Sequence, residues 1–368
     1  MKVEGFIAER LRFEGRMAII AIAISFFVII LAVSISGGFN KEIHKAVSSL
    51  NGDILIIEDS LDISSAELSR IEKLEGIESV EASISMPGII KKGDEIRGVI
   101  FKGTEADTAS LSARIPESLA EELKLDEGDS MLSYFIEDRF SARRFTLSST
   151  YSSPVDVEDA YIAYVPISDL RRLKGWEEGS ATGIEICMEP KYRKQDIIKA
   201  KAEEIAVLTG LRAVSARELY PSLFSWLELI DYNVYAIILL MTIVAGFNMI
   251  SGLLILLFRN ISTIGTLKSM GMTDRSIASV FLRISARITA IGMLAGNAAA
   301  ILFCLVQGST KLIRLNPENY FVSYVPVDME IGSILAADIL AFAAIMLLLL
   351  IPSLFISKID PSSTVKTQ

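Results

Sequence analysis

Residues 17–40 read MAIIAIAISFFVIILAVSISGGFN, 24 positions without a charged side chain. A helix of that length reaches about 36 Å at 1.5 Å per residue, more than the roughly 30 Å hydrocarbon core of a bilayer. Three more uncharged runs follow at residues 233–258, 288–307 and 339–357, the last beginning just after Asp338 and placed on a helix over 336–357. These runs predict four transmembrane helices. The first is also longer than the 7 to 15 apolar residues of a secretory signal, so it is expected to stay in place as a helix.

Orientation follows from the basic residues beside the spans, because short loops rich in Lys and Arg are retained in the cytoplasm. Segments 1–16, 259–287 and 358–368 hold 11 of the 36 basic residues but only 5 of the 45 acidic ones. Both termini are therefore expected inside. Segments 41–232 and 308–335 are expected outside, and the large external segment is acidic. A net charge of −9 and that acidic exterior argue against nucleic acid, whose phosphates demand a basic face.

The external segment reads as α/β. Strand-like runs at 54–57 and 80–84 flank a helix that Ser64 or Ser65 caps and Gly76 ends; the same order recurs near the far end, with strands at 183–187 and 211–214 around a helix at 194–208. One subdomain is thus expected from residues 41–95 and 176–232. Strand-like runs at 96–102, 130–136, 145–151 and 160–165 predict a second, mainly β subdomain over 96–175.

Little in the chain points to catalysis. The single His44 sits just beyond the first span, and Cys187 and Cys304 fall in different compartments, which leaves no oriented base, no disulfide framework and no transition-metal cluster. Glu121, Glu122, Asp126, Glu127 and Asp129 lack the ligand alternation and central glycine of a calcium loop and read as a solvated helix end and turn. No Gly-Lys pair occurs, so no P-loop exists and any ATP belongs to a partner. No cofactor is expected and the chain is not read as an enzyme.

Polar and small residues within the spans read as packing devices. Asn248 near the middle of the second span is expected to hydrogen-bond a neighbouring helix, Gly292 and Gly296 form a G-x-x-x-G for close helix contact, and Asp338 is expected at the membrane edge. Trp226, Tyr232 and Tyr235 form an interfacial belt. Between the second and third spans, Ile261, Ile264, Leu267 and Lys268 recur at helical spacing, Gly271 is a stop, and Thr273 caps a helix starting near Asp274. Met270 and Met272 there suit a protein contact that shifts during a cycle.

Several motifs resemble one family. AGFNMISGLL at residues 245–254, ISTIGTLKSMGM at 261–272, SIASVF at 276–281, NPENYFVSYVPV at 316–327, SGGFNKEI at 36–43, VIFKGTE at 99–105 and SLAEELKLDEGD at 118–129 look like the membrane (permease) subunits of the lipoprotein-releasing Lol ABC transporter, within the MacB/FtsX-type permease superfamily. The resemblance spans essentially the whole chain. It implies a multi-pass protein of the bacterial inner membrane, paired with a second permease subunit of the same or a related kind and with a separate ABC ATPase subunit. Its cargo would be a lipoprotein taken from the membrane lipid and passed to a periplasmic lipoprotein chaperone. The same-fold alternative is a mechanotransmitting permease acting on another amphiphile or on a cell-wall hydrolase.

Family roles then fall on residues of this sequence. The loop between the second and third spans becomes the ATPase coupling element, with Ile264, Lys268, Met270, Gly271, Met272 and Arg275. A cargo cavity between the first two spans would involve Phe26, Phe27, Ile30, Ile238, Met241 and Ile250. The chaperone hairpin would correspond to the short, proline-free stretch holding Phe135, Arg139 and Phe140.

Overall fold

The computed structural model describes residues 16–62, 65–93, 95–105, 109–136, 140–151, 161–316 and 320–353. In chain order the elements are α1 (Arg16–Asn51), β1 (Ile54–Asp62), α2 (Ser65–Glu72), β2 (Ile77–Lys92), β3 (Glu95–Thr104), β4 (Ser112–Pro116), α3 (Glu117–Leu123), β5 (Ser130–Ile136), β6 (Phe140–Tyr151) and β7 (Tyr161–Pro166). They continue with α4 (Ile167–Lys174), β8 (Ser180–Met188), α5 (Gln195–Thr209), β9 (Ala213–Ser215), α6 (Ala216–Leu219), α7 (Pro221–Arg259), α8 (Ile261–Ser269), α9 (Asp274–Thr310), α10 (Ile331–Leu348) and α11 (Leu350–Ser353). The chain divides into two compact units: the described parts of Met1–Lys41, Trp226–Arg314 and Tyr324–Gln368, and the described parts of Glu42–Ser225 and Leu315–Ser323.

The first unit is built from α1, α7, α9 and α10. Four helical segments, Arg16–Asn51, Pro221–Arg259, Asp274–Thr310 and Ile331–Pro352, are long and apolar enough to cross a membrane. One face of each turns inward, with Ile22, Phe26, Ile29 and Ile30 of α1 packed with Ala245, Met249 and Leu253 of α7, Val280 and Phe281 of α9, and Ala341 and Ile345 of α10. Opposite faces stay apolar yet exposed, as at Leu240, Phe247, Leu294, Leu302, Ile339 and Leu347. Helices apolar on all sides are what a lipid environment selects.

Two glycines of α9 let it approach α1 closely. A Cβ on Gly292 would lie 2.7 Å from Cγ2 of Ile22, and one on Gly296 would run into the carbonyl oxygen of Ala23. Small residues at this spacing let α9 and α1 touch backbone to backbone.

The second unit carries a nine-stranded sheet in the order β3-β7-β4-β6-β5-β2-β8-β1-β9. The 16-residue β2 joins its parts: Ile77 to Ser83 pair antiparallel with β8, whereas Ile84 to Lys92 pair with β3, and Gly88 to Lys91 also face β5. Two apolar clusters cover this sheet. Ile54 and Ile56 of β1 and Ile184, Ile186 and Met188 of β8 alternate inward and meet Ile198, Ala202 and Ile205, the buried stripe of α5. The other cluster gathers Phe101, Phe135 and Phe145 from β3, β5 and β6 with Leu119 of α3 and Leu170 of α4. Period-2 alternation in the strands and spacings of 3 to 4 in α5 produce these faces.

The strand expected at 130–136 occupies those residues, and the helix expected over 194–208 is found as Gln195–Thr209. The five-residue β4 and the helix α4 were not foreseen. β4 has only Ala113 and Ile115 to alternate, too short a pattern to register.

Candidate functional site

Between α8 and α9 the chain bends at Gly271, whose φ of +88° is a left-handed conformation that other residues rarely adopt. Met272 N–H reaches back to the Leu267 carbonyl at 3.0 Å, closing the end of α8. Thr273 then caps α9, its Oγ1 accepting from the Ser276 amide at 3.4 Å. Across the bend Lys268 Nζ pairs with Asp274 Oδ1 at 2.8 Å, so the basic end of one helix is tied to the acidic start of the next.

The six loop residues divide by direction. Ile264 is fully buried, Met272 packs on the helical core, and the Lys268 side chain is mostly covered by its ion pair. Met270 is 79 % exposed, and Gly271 and Arg275 are exposed beside it. The surface offered by this bend is therefore one methionine, one arginine and the polar Ser269, Thr273 and Asp274.

The cargo-cavity candidates also separate. Phe26 and Ile30 are fully buried inside the helical core, and Phe27 stacks edge to face on Phe303 with ring centroids 6.3 Å apart. Met241 and Ile250 pack partly against the same core. Of the six, only Ile238 lines a cavity of about 670 Å³ between α1, α7 and α10. Val33, Val234, Leu239 and Leu340 form its apolar walls, and Asp231, Asp328 and Glu330 stand at one end.

Polar groups in the helices differ in setting. Asn248 points outward and, among the described residues, has no hydrogen-bond partner. Asp338 is 6 % exposed, and Asn297 Nδ2 of α9 donates to its Oδ2 at 2.5 Å. Asn297 gave no signal in the sequence, being a small amide in an alanine-rich run.

In the second unit Phe135 lies in β5 with its ring 4.7 Å from that of Phe101, fully buried. Phe140 opens β6 opposite Ile136, while Arg139 lies outside the described residues. A buried ion pair that sequence reading missed also lies here. Lys102 Nζ meets Glu185 Oε2 at 2.6 Å and donates to the Leu50 carbonyl near the end of α1. His44 stacks edge to face on Phe224 at 5.1 Å and lines a cavity of about 480 Å³ with Asp53 and Lys199.

Residues 235–361, which include α8, Gly271, α9 and α10, match the family described as FtsX-like permease C-terminal. The lipoprotein-releasing system transmembrane protein LolC of Neisseria meningitidis serogroup B is 22 % identical over 396 residues, covering 96 % of this chain and 94 % of that protein. LolE of Haemophilus influenzae, of the same description, is 19 % identical over 400 residues, covering 96 % of this chain and 94 % of its own. Among solved structures, the periplasmic region of MacB from Actinobacillus actinomycetemcomitans matches 46 % of this chain and 90 % of its own at 13 % identity and a TM-score of 0.32. Over residues 235–361 the chain is similar to the FtsX-like permease C-terminal family, and along nearly its whole length it resembles the lipoprotein-releasing system transmembrane proteins.

Proposed function

We propose that this chain is the permease subunit of an ABC transporter of the bacterial inner membrane, which uses ATP hydrolysed by a separate subunit to extract lipoproteins toward the outer membrane. The observation that carries this reading is the near-complete coverage of the lipoprotein-releasing transmembrane proteins. The exposed bend at Gly271 is the part through which an ATPase would act. Both termini and that bend lie in the cytoplasm, and the nine-stranded unit lies outside, as the distribution of basic residues supports. Its two apolar clusters correspond to two lobes sharing β2.

The physical task fits a sheltered path. Each buried CH₂ of an acyl chain is worth about 0.8 kcal/mol, so a lipid-anchored protein is held by tens of kcal/mol and needs an apolar receiver when it leaves the bilayer. A second permease subunit completes the receiver, and a periplasmic chaperone takes the cargo onward.

Purification from native membranes under mild detergent tests the assignment. An ATPase chain and lipid-modified proteins are expected to copurify, and ATP added to the reconstituted assembly is expected to release the lipoprotein from vesicles. A preparation in which ATP turnover proceeds with its own ATPase chain while lipid-modified protein stays in the vesicles would reject the cargo.

A further inference from the structure

Along α9, Arg275, Ser279 and Arg283 recur at intervals of four, which puts them on one side of the helix, about 6 Å apart along its axis. That side borders a groove of about 420 Å³ between α9 and the end of the last membrane-length helix, whose other walls include Leu282, Ala286, Met346 and Leu350. Among the described residues, no aspartate or glutamate lines it. Asp274, the acid next to Arg275 in the sequence, is paired with Lys268.

The setting of these cations calls for an anion. Met346 and Leu350 belong to the charge-free run 339–357, and Arg283 precedes the charge-free run 288–307 by five positions. Guanidinium groups beside such walls are stabilised by a counter-charge at the headgroup level of a bilayer. Arg275 stands in the first turn of α9, where a cation opposes the helix dipole and an anion placed on it is favoured. Past Arg283, Ala286 and Met346 carry the groove toward the charge-free run, an apolar floor that a soluble phosphate cannot use.

We propose that this groove seats an anionic phospholipid from the leaflet on the side of the Gly271 bend. Its phosphate lies on Arg283 and Ser279, its polar headgroup toward Arg275, and one acyl chain along Ala286 and Met346. Basic grooves between membrane-crossing helices hold anionic headgroups in this way. Two arginines with no carboxylate among the described lining residues favour a net negative headgroup over a zwitterionic one, whose ammonium would meet only cations. A guanidinium also matches a phosphate with paired hydrogen bonds. The bound lipid is a partner of the helices themselves and is independent of the cargo proposed above.

The test uses the full chain in nanodiscs with two photoactivatable lipids of identical acyl chains, phosphatidylglycerol and phosphatidylcholine, and maps the labelled residues of α9 and α10 by mass spectrometry. At equal mole fraction, phosphatidylglycerol is expected to label the groove about tenfold more, and Arg283→Gln to cut that preference to about twofold. Arg283→Lys, which keeps the charge, should retain most of it. Ala286→Phe, which fills the groove, should reduce labelling there by both lipids. The outward face of α9 at Leu294 and Leu302, both exposed, should label alike with either lipid in every variant, which also shows that the variants are folded. Equal labelling of the groove by both lipids, or a preference that Arg283→Gln leaves unchanged, would overturn the proposal. Millimolar glycerol phosphate is expected to leave the labelling intact; displacement by it would make the groove a site for soluble phosphate and overturn the lipid. A groove that labels with neither lipid until residues 354–368 are deleted would belong to that segment instead.

Discussion

Asn297 and Asp338 share one hydrogen bond between α9 and α10, and in that pair Oδ1 of each side chain is buried and, among the described residues, without a partner. The two residues therefore depend on one another more than on anything else nearby. Asp338→Ala would strand the Asn297 amide, and Asn297→Ala would strand the carboxyl. Each is expected to cost about 1 kcal/mol, as interhelical polar contacts in membranes do. The double variant Asn297→Leu/Asp338→Leu should recover much of the loss. Unfolding of the full chain in mixed micelles measures it; simply additive losses would show that the pair is not a unit.

A stronger effect is expected at Lys102. With 3 % exposure and its ammonium on both Glu185 and the Leu50 carbonyl, it is the cation that makes the buried Glu185 tolerable. Lys102→Met should destabilise the second unit by about 3 to 5 kcal/mol, because it leaves a buried carboxylate uncompensated. Adding Glu185→Leu should restore most of that. Denaturation followed by far-ultraviolet dichroism of the full chain distinguishes this from a packing loss, which the second substitution would not repair.

Tyr164 supplies a pH dependence. Burial, with the neighbouring Glu185 carboxylate, pushes its phenol up to about 12, although the Arg114 guanidinium 5.4 Å away opposes the shift. The folded chain then holds this proton more tightly than the unfolded chain, whose tyrosine titrates near 10. Its contribution is fully present below pH 10 and is lost as pH rises toward 12. Stability against denaturant should fall across that window, and Tyr164→Phe should reduce the slope. An unchanged slope in the phenylalanine variant would remove Tyr164 from the account.

Legibility in the sequence followed how local the signal was. Residues 17–40 announced α1 because a charge-free run has one physical meaning at that length, and Gly271 with Thr273 announced a bend because both act within a few residues. β2 was only half foreseen: its second half pairs with β3 and β5, and nothing local shows that one strand serves both apolar clusters. The Asn297–Asp338 pair spans 41 residues and Lys102–Glu185 spans 83, distances at which pattern carries no information. Phe26 and Ile30 look like any lipid-facing pair in sequence; only helix rotation in the packed unit turns them inward.

The bend at Gly271 can be tested at the residue that faces outward. Met272 packs on the helical core, so its substitution would mix stability with partner binding. Met270, at 79 % exposure, does not. Met270→Asp is expected to leave expression and unfolding unchanged while weakening ATPase association by about tenfold or more, since it would bury an unpaired carboxylate in the contact. Copurification of the ATPase chain reads this directly. Full association in Met270→Asp would move the coupling surface elsewhere.

Asn248 provides the last test, because its position has a cost that this chain alone does not offset. It lies near the middle of a charge-free run of α7, faces outward, and makes no hydrogen bond among the described residues. Its neighbours on that face are Val244, 41 % exposed, Phe247, 64 %, and Ile255, 54 %, an apolar surface broken only by the amide and by Ser251. An amide left in lipid is unfavourable, and interhelical hydrogen bonds are the usual remedy. A second permease chain meeting this face would supply the partner, and a two-fold contact would set Asn248 against its own counterpart. In a background of Cys187→Ser and Cys304→Ala, Asn248→Cys and Val244→Cys are expected to cross-link to a second permease chain in native membranes. Leu302→Cys on α9, 64 % exposed and equally apolar in setting, is expected to give little. Equal cross-linking at Leu302 and Asn248 would mean random collision in the membrane, and none at Asn248 or Val244 would place the permease contact on another face.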